Sequence, residues 1–523
     1  MNKPIFALLC LCCTSAFAQG NSGDSLSIDL EMQGSFSNSK TPLWLNANKH
    51  GLGSLSSDNG YLRAMGVYEK SFNEDTYGLT VGLDMAVAFN YKTSGYKNTY
   101  RSHLIIQQAY LEGRYKMGVV TIGAKYQSME LLNDDLSSGA QTFGINARPI
   151  PQVRVGLSDY WGIPLTRNWL SFKGHLAYGV MTDGAWEESF AKGAEHKFNR
   201  NTRYHQKAGY FRIGNTEKFP LTFTIGLEMA AQFGGHVYNW NGNSQDTTVV
   251  AYDVALSSSP RSYFNAFVGS GSDNGESKFK NAEGNLLGSW VARLNWNDDN
   301  IEVGAYVDHF FEDHSALFFL DYDGYGGKDN NEKLDSRFFR YDFKDALVGL
   351  DIKLKNFSYV NQAVVEYMNT RYQSGPVYHD HNQTLATHIC GNDQYYNNMI
   401  FPGWQHWGQV IGNPLYTSPV YNTDGYIGVE NNRFKAWHFA VAGDPFDGFH
   451  YRAKLSWQKG WGTYDNPFLY PKDNTSILLE AMYRFADDSH LAGTSVNFAY
   501  GADFGSLLGN NSGVQLTVKY TIR

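Results

Sequence analysis

Residues 221–235 read LTFTIGLEMAAQFGG, and the fold turns on how they alternate. Leu221, Phe223, Ile225, Leu227, Met229 and Phe233 share one face, while Thr222, Thr224, Gly226, Glu228 and Gln232 share the other. A period of two is that of a β-strand with one apolar and one polar side. The run exceeds ten residues, whereas strands of soluble sheets average about five or six. It also carries Glu228 on its polar face, a group that a soluble core buries only at a cost of several kcal/mol unless it is paired. A tilted strand crossing a bilayer needs about 9–11 residues and can turn such groups toward a polar lumen. The stretch therefore predicts a transmembrane barrel strand.

The same pattern recurs along the chain. Tyr77, Leu79, Val81, Leu83, Met85, Val87 and Phe89 oppose Gly78, Thr80, Gly82, Asp84, Ala86, Ala88 and Asn90. Shorter rows run through Leu26–Met32, Val120–Tyr126 and Leu170–Val180, and Lys173 lies on the polar side of the last. Trp290, Ala292, Leu294 and Trp296 lead into the polar turn Asn297-Asp298-Asp299-Asn300, and Ile301, Val303, Ala305 and Val307 return from it, as in a hairpin. Near the C-terminus Val514, Leu516, Val518, Tyr520 and Ile522 alternate with Gln515, Thr517, Lys519 and Thr521.

Many apolar rows begin or end on an aromatic residue, as interfacial girdles require, and aromatics make up 15% of the chain. At about 25–30 residues per strand and connection, the chain accommodates about 16 to 20 strands. We expect an all-β, transmembrane antiparallel outer-membrane β-barrel formed as a single domain by residues 19–523. Polar stretches at about 92–102, 184–204, 236–250, 270–285, 321–340 and 371–435 are the expected long extracellular loops, and some are long enough to fold inward as an internal plug. The barrel's partners would include outer-membrane lipids.

The first eighteen residues have the layout of a secretory signal peptide. Lys3 supplies the basic region, Ile5–Cys13 the apolar core, and Ala16-Phe17-Ala18 the cleavage site. That apolar core is too short to span a bilayer. Cys10, Cys12 and Cys13 fall within the signal, so an exported chain would retain only Cys390 and form no internal disulfide. The net charge of −8 argues against nucleic acid as a partner.

Three stretches could carry chemistry. DHFFEDHS places Asp308, His309, Glu312, Asp313, His314 and Ser315 close together, but it matches no zinc spacing and reads as a strand meeting the rim. In DYDGYGGKDNNE, Asp321, Asp323, Gly326 and Glu332 fall at positions 1, 3, 6 and 12 of a calcium loop, although Tyr325 occupies the fifth position, where an oxygen donor belongs. Calcium is thus the one cofactor with a candidate site, held by Asp321, Asp323 and Glu332. The region 371–437 combines flat rings with amides, the equipment for stacking and hydrogen-bonding a sugar. Its candidate carbohydrate-binding residues are Tyr395, Tyr396, Trp404, Trp407, Asn431 and Arg433. The alternative is that these aromatics pack a long loop against itself or the barrel wall. No Ser/His/Asp order, phosphate loop or cysteine nucleophile is recognisable, so no catalytic residue is assigned.

The runs YQSGPVYHD, GNDQYYNN, PGWQHWGQVIGNPLYTSPVYN and NNRFKAWHFAVAG resemble the capsule assembly protein Wzi family in its Bacteroidetes branch. YGVMTDG, YHQKAGYFRIGN, YVDHFFEDHSALFF and KGWGTYDNPF extend that resemblance over most of the chain in the same order. The resemblance implies an outer-membrane barrel of about eighteen strands that helps fasten capsular polysaccharide to the cell surface in a lectin-like, non-catalytic manner. It also implies passage through the barrel insertion machinery, although the chain ends Tyr520-Thr521-Ile522-Arg523 rather than on an aromatic. Two other readings remain open at this stage: a channel for small solutes, and a hydrolase built on His309 and His314.

Overall fold

The computed structural model describes residues 24–73, 76–240, 250–269, 284–312, 321–337, 344–378, 382–386 and 389–522. The segment read as a signal, 1–18, lies outside them. Eighteen long strands run in sequence: β1 Asp24–Ser37, β2 Asp58–Phe72, β3 Tyr77–Ser94, β4 Thr99–Tyr115, β5 Gly118–Ala124 and β6 Gln152–Leu157; β7 Leu170–Val180, β8 Arg203–Ile213, β9 Leu221–Phe233, β10 Asn285–Asn297, β11 Ile301–Glu312 and β12 Ala346–Leu354; β13 Gln362–Asn369, β14 Phe434–Phe446, β15 Phe449–Gly462, β16 Pro467–Arg484, β17 Thr494–Gly505 and β18 Asn511–Ile522. Each is antiparallel to its neighbours, and the two-residue ladder Trp161–Gly162 adds a nineteenth member on the edge of β7. β18 then pairs with β1, Val518 opposite Met32 and Lys519 opposite Glu31. The sheet closes on itself and leaves no free edge, the condition for backbone to cross lipid. No helix among the described residues is long and apolar enough to cross a membrane.

The alternation sorts the side chains as the sequence predicts. Phe223 and Ile225 on β9 are exposed on the outer surface, whereas Thr222, Thr224 and Glu228 are buried inside. On β18 Leu516 and Tyr520 are outside and Gln515 inside. The connections at one end are short, such as 116–117, 298–300 and 447–448, and the long ones, such as 38–57, 125–151 and 370–433, lie at the other. Long connections of such barrels face outward and short turns face the periplasm. Trp161, Trp169, Phe219, Tyr77, Tyr115 and Phe446 are exposed at the short-turn end, forming a girdle there.

Some expected loops differ. The stretch 92–102 is mostly strand: Lys92, Thr93 and Ser94 of β3 pair with Arg101, Tyr100 and Thr99 of β4 across a turn at 95–98. Two long connections, 38–57 and 125–151, were not read from the sequence. They are rich in small and mixed residues without a run of charge, and both fold into the lumen. Among the described residues three α-helices lie in connections: α1 Leu43–Asn46, α2 Gly184–Ala191 and α3 Pro260–Val268.

The lumen is not the wet space that its charged strand faces suggest. Leu43, Trp44 and Leu45 of α1, Ala147 and Ile150, and Tyr395, Tyr396, Trp404, Leu415 and Tyr416 form one buried apolar cluster with wall residues Tyr204, Phe310, Phe434 and Leu478. Charges on the inner wall are paired instead of hydrated: Arg63 donates to both Asp84 oxygens at 2.8 and 2.6 Å, Tyr210 donates to Glu228 at 2.7 Å, and Lys173 meets Glu130 at 2.8 Å. Burying such polar groups without partners would cost several kcal/mol. Toward the short-turn end the lumen opens into a cavity of about 840 Å³ lined by Tyr160, Arg212, Arg293, Glu302 and Asp351 among others.

Candidate functional site

The plug segment 395–433 carries all six predicted sugar-binding residues, and Arg433 is its last residue. Tyr395, Tyr396, Trp404 and Asn431 are buried to within 1% of complete exclusion from solvent. The Tyr396 ring stacks on Tyr416 at 3.9 Å and meets Phe310 edge-on, and its hydroxyl donates to the Gln141 carbonyl and accepts from the Asn413 amide. Tyr395 packs edge-on against Phe310 at 4.8 Å. Trp404 stacks on Tyr204 of the wall at 5.8 Å and donates its indole N–H to the Thr142 carbonyl. The Asn431 side chain accepts from the Gly462 amide at 3.2 Å. In this arrangement every one of these faces is occupied by protein, and they cement the plug to the wall. Arg433 lies at the rim, with its guanidinium 3.8 Å from the Tyr464 ring.

Trp407 is different. Gln405–His406 and Gln409–Val410 pair as a hairpin whose two-residue loop is Trp407-Gly408. Both loop residues have positive φ, 56° and 80°, as a two-residue turn of this hand requires. Gly408 adopts that conformation freely; a bulky aromatic does so at a cost of about 1–3 kcal/mol, which the surroundings must hold in place. They do: the Trp407 amide donates to Asp183 at 3.0 Å, the Gly408 amide to the Gln405 side chain at 2.6 Å, and Gln405 donates to both Asp183 and Glu187. His406 is fixed between Thr182 and the Arg148 carbonyl. The strained turn projects the partly buried Trp407 indole into a cleft of about 340 Å³ at the long-loop end.

Arg148 covers one face of that indole, 4.4 Å from the ring centroid, and burial lowers the Arg148 guanidinium to about 10, so it stays cationic at neutral pH. Lys40, Asp58, Asn90 and Thr423 line the rest of the cleft. One aromatic platform, one forked cation and several amide and hydroxyl groups can stack a sugar ring and hydrogen-bond its hydroxyls. Arg148, Lys40 and Asn90 come from three separate connections or strands, and nothing in their local sequence marks them. Gly408 is the only turn signal in the hairpin loop, since a bulky aromatic such as Trp407 does not announce a positive φ.

Glu187 of α2 clamps this hairpin from below. Its carboxylate accepts from the Asn199 amide at 2.6 Å and from Gln405 at 2.8 Å, and burial, with Asp183 beside it, raises its carboxyl well above the ordinary 4.5. The folded protein therefore binds this proton more tightly than the unfolded chain. The group's contribution to stability is full below 4.5 and is lost as pH rises through the folded value. Amide exchange in α2, corrected for its intrinsic pH dependence, is expected to quicken as pH rises above 4.5, and Glu187→Gln to flatten that trend.

The other candidate stretches resolve differently. Asp308 accepts from the Gln141 amide at 2.7 Å, His309 Nδ1 lies 2.6 Å from the Asp345 carbonyl, and Glu312 accepts from the Tyr396 amide at 2.6 Å. Asp308 and Glu312 bind the segments that fill the lumen, and His309 binds the residue that enters β12; Asp313, His314 and Ser315 lie outside the described residues. In the calcium stretch Tyr325–Gly326 pairs with Glu332–Lys333 as a short hairpin, and no group of three metal-ligating side chains occurs among the described residues. The Asp323 amide donates to the Asp335 carbonyl, and Glu332 is exposed. The side chain of Asp321 lies outside the described residues.

No family model and no curated protein matches the chain. Among solved structures, it is similar to Wzi, an outer-membrane protein involved in group 1 capsule assembly in Escherichia coli and a carbohydrate-binding β-barrel. The identity is 12% and the TM-score 0.51, over 94% of this chain and 83% of that one. It also aligns with OccK1 (OpdK) of Pseudomonas aeruginosa at 11% identity and TM-score 0.47, over 95% and 98% of the two chains. These likenesses concern the fold. The closed eighteen-stranded barrel and its apolar outer belt place the chain in the outer membrane.

Proposed function

We propose that this barrel is a non-enzymatic surface protein that helps attach or assemble capsular polysaccharide by lectin-like binding, through the outward cleft around Trp407. The observation that carries the reading is the strained two-residue turn that holds the partly buried Trp407 in the cleft beside Arg148. The similarity of fold to a carbohydrate-binding barrel supports it. Arg433 on Tyr464 offers a second cation at the rim, and Tyr395, Tyr396, Trp404 and Asn431 serve the site by fixing the plug. Weak contacts repeated along a long polymer suit retention of that polymer. Residues 1–18 remain assigned as the export signal in this proposal.

Trp407→Ala is expected to weaken binding of the capsular glycan to the purified barrel about tenfold, the scale of one stacking contact. Cells carrying it should release capsule into the medium while the barrel stays folded. Equal glycan retention by the wild type, Trp407→Ala and a gene deletion would remove the basis of the proposal. Running the glycan screen with and without calcium tests Asp321, Asp323 and Glu332 in the same assay.

A further inference from the structure

Helix α3, in the connection between β9 and β10, sits on the outside of the barrel. Tyr178, Met229, Ala231, Phe233 and Leu286, which it packs against, belong to the outward-facing rows of β7, β9 and β10. Its ends are defined: Ser259 caps the Ser262 amide, Pro260 opens the first turn, and Gly269 closes the helix at φ 70°. Three contacts fasten it to the wall. The Tyr178 hydroxyl donates to the Tyr263 carbonyl at 2.9 Å, Phe233 meets Tyr263 edge-on at 4.9 Å, and the outward Lys207 ammonium caps the Phe267 carbonyl.

The helix is turned the opposite way from a soluble surface helix. Its polar Ser262 and Asn265 are buried with Ala266, while Phe264 (61%), Phe267 (39%) and Val268 (45%) are exposed. Arg261 continues that exposed stripe at i−3 from Phe264. No carboxylate occurs anywhere in the helix, and Lys207 lies 4.8 Å from the Phe267 ring.

Its height is also informative. Leu221 to Ala231 is ten steps along β9, about 33 Å of strand, or about 25 Å of height at the usual tilt, the full apolar band of such a barrel. α3 therefore lies where that band ends and the outer headgroups begin.

We propose that α3 is an interfacial membrane anchor, with Phe264, Phe267 and Val268 in the acyl boundary and Arg261 on an anionic lipid headgroup. This stands whether or not the barrel holds glycan. To test it, the four native cysteines are replaced by serine, the full chain is refolded into vesicles, and an environment-sensitive dye is attached to Phe264→Cys or, as a water-exposed control, to Asn510→Cys. Heat-modifiable gel mobility shows that each variant has folded.

The dye at 264 should be quenched by lipids brominated near the headgroup and shielded from aqueous iodide, with the reverse at 510. Iodide quenching at 264 equal to that at 510 would overturn the proposal. Vesicles of phosphatidylcholine with and without phosphatidylglycerol test the charge. The wild type should retain phosphatidylglycerol through purification and Arg261→Gln should lose part of it. Equal retention by both would overturn the headgroup assignment.

Discussion

In a planar bilayer the intact protein is expected to pass no steady current, and a variant lacking residues 395–430 to conduct strongly. The reason lies in the apolar cluster that fills the outer half of the lumen, where Tyr396, Trp404 and Tyr416 pack directly on wall residues Tyr204, Phe310 and Phe434. Ions cannot cross a layer of rings packed at van der Waals distance, because nothing there replaces their hydration. Below that layer the cavity of about 840 Å³ is already open, so removing 395–430 takes away most of the rings that bar it from the outside, leaving the connections 38–57 and 125–151 beside the opening. Eighteen strands enclose more space than side chains alone fill. Steady conductance by the intact chain would revive the channel reading; the deletion, checked for heat-modifiable folding, shows whether the plug is the barrier.

The second large effect is expected on the lipid side. Val518→Arg places a guanidinium on the outer face of β18, between Met32 and Val496 of its neighbours. Near the midplane that costs about 2–4 kcal/mol of folding stability in the membrane. One residue along, Lys519 turns inward and meets Asp29 at 2.9 Å, so Lys519→Arg keeps the charge and its partner and should alter stability by less than about 0.5 kcal/mol. Urea titration in vesicles distinguishes the two. Similar losses would contradict the alternation that orients every strand of the barrel.

The wall was legible because its signal is local. Leu221 to Phe233 states its own period, and the turn at Asn297–Asn300 falls where β10 becomes β11. The inside was much less legible. A ring that stacks on a sugar and a ring that stacks on another ring of the same protein carry the same letters, so Tyr395, Tyr396 and Trp404 could not be separated from Trp407 by composition. What separates them is contact with wall residues some 200 positions away, such as Tyr204 beneath Trp404, and no period encodes that. Asp84 and Glu228 misled in the same way, since a charge facing a lumen looks alike whether water or Arg63 and Tyr210 receive it. α3 was within reach: Ser259-Pro260 and Gly269 are start and stop signals for a helix.

The short helix α1 has a mechanical consequence. It stands in the lumen against the strands that close the ring: the Leu43 amide holds Asp503 on β17, Trp44 holds Ser456 on β15, and Lys49 and the Leu45 carbonyl both hold Gln515 on β18. The seam between β1 and β18 is thus cross-braced from within by the connection that leaves β1. Tension applied to the outer loops meets a hoop whose joint is reinforced, so the load spreads through the ladder of strands and does not unzip the barrel where its two ends meet.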